Sequence, residues 1–166
     1  MATFEVKGPF EVPLTKEKAG RRIANEHGKE FWKAHKSIEN DVGCYVFAFR
    51  AAKGLKPMYV GKATKSFKQE IFTLHKLGKY NEALTKQAKG TPVMFFVSFK
   101  KSRGMINKTA IDDAESFLIQ AGITANKNLL NDRKVAVEKW GIKGVIRGGK
   151  GAPPEPAKVF KQCMGL

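Results

Sequence analysis

Two tyrosines, one lysine and one glutamate are the residues of this chain whose types and order could do chemistry together. Gly43-Cys44-Tyr45 is followed by Met58-Tyr59-Val60-Gly61-Lys62-Ala63, and Glu115 comes later, in Glu115-Ser116-Phe117-Leu118-Ile119. Hydrolysing a phosphodiester needs an activated water, relief of charge on the phosphate and a leaving oxygen that can depart. A phenol with a pKa near about 10 is a poor base, but a neighbouring ammonium lowers that value. Tyr45 or Tyr59 beside Lys62 could therefore position or deprotonate water, and Gly61 would let a phosphate approach the backbone. Glu115 falls between Ile111 and Leu118, on the flank of an apolar stripe. One carboxylate with substrate oxygens and waters is an ordinary magnesium site. His75, next to Leu74, could face such a cleft or lie on the surface. His27 and His35 make no metal-binding spacing. Taken singly, each residue also has a plain reading: core tyrosines with satisfied hydroxyls, a surface lysine, a helix-edge carboxylate.

A second motif is a decoy. Gly144-Val145-Ile146-Arg147-Gly148-Gly149-Lys150 has the spacing of a phosphate loop, but Gly151 stands where a Ser or Thr would hold magnesium. Pro153 and Pro154 follow where a helix should open, so the segment reads as a basic loop.

The elements that must position the tyrosines follow from periodicity. Cys44 to Phe49 is apolar on both faces, the pattern of a strand covered on both sides. A turn containing Gly54 leads into a second strand over 57–61. Phe67, Ile71 and Leu74 predict a helix over 64–77 ended by Gly78, with a short further helix over 80–88. Val93 to Phe99 is the strongest strand and is expected to be central. Thr109, with Asp112 at capping-box spacing, predicts the start of a helix whose stripe is Ile111, Ala114, Phe117, Leu118 and Ala121, closed by Gly122. Upstream, Phe4 to Val12 reads as extended and Thr15 as the cap of a helix broken by Gly28. A second helical piece follows, with Phe31, Trp32 and Ile38 on its apolar side. Pro156 opens a last helix. The order predicts an α+β fold: a small, mainly antiparallel three-stranded sheet flanked by helices. Three regions result: an N-terminal extension over 1–42, a core over 43–131 and a basic C-terminal extension over 132–166.

The paired tyrosines with Gly61-Lys62-Ala63, then Glu115 and the later Ala125-Asn126-Lys127-Asn128, resemble the GIY-YIG nuclease domain over about residues 43–131. The resemblance implies catalytic roles for Tyr45, Tyr59, Lys62 and Glu115. It implies a Mg2+ or Mn2+ ion on Glu115, and substrate contacts from Gly61 and Asn128. The chain departs from the family at one position. The arginine that clamps the scissile phosphate falls on Gln69 by an ungapped count, or on Glu70 when Phe67 and Ile71 are matched to the family's apolar positions. No arginine occurs between Arg50 and Arg103. Lys62, Lys65 or Lys68 could substitute only in part, because an ammonium lacks the bidentate fork. An inward-facing Glu70 would repel phosphate unless it bound metal. Binding with weak or absent cleavage is the expectation.

Charge points the same way. The net charge of the chain is +16, and residues 43–110 alone hold 14 basic and 2 acidic groups, a net of +12, against +1 before and +3 after. A basic middle suggests a polyanion, nucleic acid and DNA first. The rivals are a cleavage-impaired binding module and an interaction protein for an acidic partner. No apolar run exceeds about six residues, far short of the roughly 20 of a membrane span. The first residues carry no export pattern. Two cysteines without Cys-x-x-Cys spacing suit a reducing cytoplasm.

Overall fold

The computed structural model describes residues 2–17, 20–52, 54–87, 89–100, 105–135, 142–143, 145 and 151–165. They divide into two compact units, Met1–Val135 and Ala136–Leu166. In the second unit the described helix is Glu155–Met164, opened by a proline as the sequence predicts and closed by Gly165 in the left-handed region at φ 67°. Most of the phosphate-loop decoy (144 and 146–150) lies outside the described residues.

The first unit is built on a four-stranded antiparallel sheet. Its strands are β1 (Thr3–Glu11), β4 (Gly43–Ala51), β5 (Gly54–Ala63) and β6 (Thr91–Lys100), in the order β1-β6-β4-β5. The three expected strands are therefore joined by a fourth. Phe4 to Val12, read as an extension outside the core, pairs along β6 from Thr3↔Lys100 to Glu11↔Val93. That leaves β4 and β6 internal, and β5 as one open edge.

The N-terminal helix reading needs correction. Thr15–Glu17 is a short strand, β2, paired with β3 (Gly20–Arg22), and the helix α1 begins only at Asn25 and runs to Ala34. Thr15 caps nothing; its hydroxyl meets His27 Nε2 at 3.1 Å, and His27 Nδ1 accepts the Ala24 amide at 2.9 Å at the start of α1. Gly28 does not break the helix. It lies buried inside α1, where a Cβ would come 2.9 Å from Phe72, so the glycine lets the 72 side chain close over α1.

The predicted helix over 64–77 is two helices. α2 (Phe67–Glu70) is a single turn capped by Ser66, whose Oγ accepts from the Gln69 amide at 3.2 Å. α3 (Leu74–Lys86) then starts afresh and runs through Gly78. Leu74, expected in the apolar stripe, is 81% exposed. Phe72 turns instead toward Phe31 and Trp32, with ring centroids 5.4 and 6.0 Å apart. The last helix of this unit, α4 (Lys108–Ala125), is capped by Asn107, not Thr109, and continues through Gly122, which packs on Leu129 and Val60.

The sheet buries both faces. Tyr45, Phe47, Tyr59, Met94 and Phe96 form one core with α1, α2 and α3. Cys44, Val42, Phe99 and Ile111 form a second, and Val60, Ile119 and Leu129 a third, both against α4. Side chains alternate along β5, so Tyr59 and Gly61 face α3 while Val60 and Lys62 face α4.

Glu70 is structural. Its Oε1 accepts the Thr64 amide at 2.7 Å and the Lys65 amide at 2.6 Å, holding the loop after β5. Charge-assisted hydrogen bonds of this kind contribute about 1.5–3 kcal/mol. Glu70→Gln is expected to lower stability by about 1–3 kcal/mol in urea unfolding. Unchanged stability would mean that the loop holds itself.

Candidate functional site

A cleft of about 500 Å³ opens along the free edge of β5, between α3 and α4. It is lined by Tyr59, Lys62, His75, Lys76, Lys79, Glu115, Ile119 and the segment Asn131–Lys134. The location explains how residues on opposite faces of one strand meet: Tyr59 reaches the edge from the α3 side, Lys62 from the α4 side.

Each wall has its own fixing contacts. Tyr59 is nearly buried, and its hydroxyl accepts a hydrogen bond from Lys76 Nζ at 2.5 Å, with the ammonium 4.9 Å from the ring centroid. Lys79 bridges to Asp132 at 2.7 Å. On the opposite wall Lys62 pairs with Asp112 and lies 3.5 Å from Glu115 Oε2. Lys134 Nζ lies 2.8 Å from both Asp112 Oδ1 and Glu115 Oε2. Asn131 closes the edge between these walls. Its Oδ1 accepts the Val60 amide at 3.0 Å and its Nδ2 donates to the Val60 carbonyl at 2.7 Å, completing the strand's outer hydrogen bonds with a side chain.

The charges in this cluster support one another. Hydrogen bonds from Lys134, then Lys62, hold the Asp112 carboxyl down at about 2. The bond to Asp112 raises Lys62. Burial pulls the Lys134 ammonium down, but its bonds to Asp112 and Glu115 more than reverse this, and its value is raised. These three groups stay charged across the neutral range.

Tyr45 does not reach the cleft. It is fully buried, its hydroxyl has no hydrogen-bond partner among the described residues, and burial, then the nearby Tyr80 and Tyr59, push its phenol well above the usual range. Tyr80, whose own hydroxyl donates to the Ile71 carbonyl at 2.8 Å, can meet the Tyr45 phenol only as an acceptor. Gly61 pairs directly across from Tyr45, and its missing side chain is where the phenol lies. The glycine makes room for an aromatic ring rather than for an approaching phosphate.

Of the residues singled out in the sequence, Tyr59, Lys62, Glu115 and His75 come together in the cleft. Lys65 and Gln69 are exposed away from it, and Lys68 pairs with Glu39 at 2.8 Å beside α1. Glu70 is committed to the loop, and Asn128 lines a separate hollow with Lys56 and Lys86. Lys76, Lys79, Asp112, Asn131 and Lys134 were missed. Asp112 and Glu115 stand i, i+3 on one helix flank, a spacing that could have signalled a carboxylate pair. Nothing local marks Lys134 or Asn131.

A divalent ion on Glu115 does not fit the residues present. Among the described residues no three His, Cys, Asp or Glu side chains group to hold one. The two carboxylates that do approach each other already share two ammonium groups. Cys44 is no alternative ligand; burial pushes its thiol up to about 12. No helix among the described residues is long and apolar enough to cross a membrane. No family model, curated protein or solved structure matches this chain.

Proposed function

We propose that this protein binds nucleic acid, with the phosphate backbone seated in the cleft along β5, on a core resembling the GIY-YIG nuclease domain. The observation that carries the reading is the convergence of Lys62, Lys76, Lys79, Arg133 and Lys134 on one cleft in a chain of net charge +16. Only Glu115 and Asp132 oppose them among the lining residues. Lys76, on α3, supplies a cation beside Tyr59, whereas the position of the family's arginine, Gln69 or Glu70 on α2, supplies none. With Lys76 donating to its oxygen, Tyr59 keeps its own proton free to donate to a phosphate oxygen. DNA is the first substrate class to try. The test is fluorescence anisotropy of a labelled oligonucleotide with the native chain, Lys76→Ala/Lys79→Ala, and Lys86→Ala as a basic control away from the cleft. The double variant is expected to lose about tenfold or more, since each phosphate contact contributes to affinity. Equal losses in the control would move the interface elsewhere.

A second reading, phosphodiester hydrolysis, is favoured by the Tyr59–Lys76 pair lying in one cleft with Glu115. Lys76 would stabilise charge developing on the phosphate, and Tyr59 would orient the attacking water or donate its proton. Without a guanidinium clamp the rate should be about 10²–10³ below that of a complete site. A plasmid-nicking assay should therefore show slow cleavage or none, and any cleavage should vanish in Tyr59→Phe. Fast nicking that survives Tyr59→Phe would place the chemistry outside this cleft.

A further inference from the structure

Lys134 is the one described residue other than glycine with a positive φ, at 60°. Side chains with a Cβ are disfavoured there, and such a residue persists when its surroundings hold it. Here they do. The Lys134 carbonyl accepts from Gln120 Nε2 at 2.5 Å, and its ammonium meets three oxygens: Asp112 Oδ1 at 2.8 Å, Glu115 Oε2 at 2.8 Å and the Asp112 carbonyl at 3.2 Å. Three oxygens converging on one point, two of them from carboxylates, is the arrangement that hard cations take. The point is occupied by Nζ.

We propose that Lys134 is a built-in cation: its ammonium sits at the position, and with Lys62 carries the charge, that a divalent ion would hold between Asp112 and Glu115. The distances suit an ammonium. Magnesium demands oxygens at about 2.0–2.1 Å, so the cage is too wide for it by more than half an ångström on every side. The charge also closes, since two carboxylates meet two ammonium groups, and a dication added to them would bring uncompensated charge into a cluster where the Glu115 side chain is only 14% exposed. The consequence for function, which rests on reading the cleft as a phosphate site, is that nucleic acid binds without metal. The left-handed backbone at Lys134 is then the means of aiming the side chain inward from the last segment of the unit.

The direct test uses Mn2+ alone, with no nucleic acid, and follows free Mn2+ by electron paramagnetic resonance. The native chain should show no Mn2+ site that depends on Glu115. Lys134→Met should gain about one bound Mn2+ per chain, and Lys134→Met/Glu115→Gln should lose it again. Circular dichroism melts establish that the variants fold. If Lys134→Met does not fold, Lys134→Gln decides by the same criterion, because it too removes the ammonium from between the two carboxylates. A Glu115-dependent Mn2+ site in the native chain, or a folded variant that gains none, overturns the proposal. In a separate arm, oligonucleotide affinity of the native chain should be equal in EDTA and in Mg2+ at matched ionic strength. Glu115-dependent tightening by Mg2+ also overturns it. No oligonucleotide binding under either condition would end the nucleic-acid reading, while the Mn2+ result would still decide the role of Lys134.

Discussion

Gly61→Ala is expected to destabilise the protein by about 3 kcal/mol, the upper part of the range for overpacking a full core. An added Cβ would lie 2.5 Å from Cζ and 2.8 Å from Cε1 of Tyr45, with the phenol oxygen nearer still. Real Cβ atoms do not approach ring atoms so closely, so something must move. Tyr45 cannot move easily, because it is fully buried beside Tyr59, Phe96 and Tyr80 in the same core. The strand cannot move easily either, because Gly61 pairs directly with Tyr45 on β4, an internal strand. A double-mutant cycle isolates the pair: in a Tyr45→Leu background, urea unfolding should show the cost of Gly61→Ala falling by at least half. The same packing makes Tyr45→Phe mild. It removes a buried hydroxyl without a partner, a group that costs about 1–3 kcal/mol to desolvate, so the variant should match or exceed native stability. Native-like unfolding of Gly61→Ala would show that the ring and strand can give way at little cost.

This pair shows where sequence and structure part. Tyr45, Tyr59 and Gly61 were all legible as a motif on neighbouring strands, and the strands are there. What spacing could not tell is which phenol is sealed. Both tyrosines face α3, but Tyr59 lies nearer the open end of the cleft, where Lys76 takes its hydroxyl, while Tyr45 sits on the internal strand under Gly61. Sheet order decides that, and sheet order is set by long-range pairing. The fourth strand was hidden for the same reason: Phe4 to Val12 read as extended, but only pairing with β6 makes it part of the core.

Helix errors have a different origin. Phe67, Ile71 and Leu74 fit a helical period, so one helix was expected where the chain makes two. The break comes from contacts that periodicity does not contain: Glu70 binding the loop amides before it, and Phe72 closing over Gly28. Asp112 was read by a local rule as part of a cap, whereas its partners are fifty and twenty-two residues away, Lys62 and Lys134. A carboxylate on a helix in a chain of net charge +16 has many possible cations, and only the fold selects among them.

That selection also sets how salt should act on binding. Counting every cation of the basic middle would suggest about five phosphate contacts and a log–log slope near −4 to −5 on duplex DNA. The cleft lowers the expectation. Lys62 and Lys134 are shared with Asp112 and Glu115, and Lys79 with Asp132, so they neutralise phosphate only in part. Lys76 and Arg133 have no ion-pair partner among the described residues and act at full charge. About three to four phosphates are then neutralised, giving a slope of about −2.7 to −3.6 at roughly −0.9 per phosphate. Affinity for a duplex oligonucleotide should fall roughly 40- to 150-fold when salt rises from about 50 to 200 mM. The partial ion pairs make a sharper claim possible. Asp132→Asn frees Lys79, and should steepen the slope by up to about one unit while tightening binding at low salt. Lys76→Ala should flatten it by about the same amount. A slope near zero, or one unmoved by both substitutions, would take nucleic acid out of this cleft, since no arrangement of its charges could bind a polyphosphate without releasing counterions.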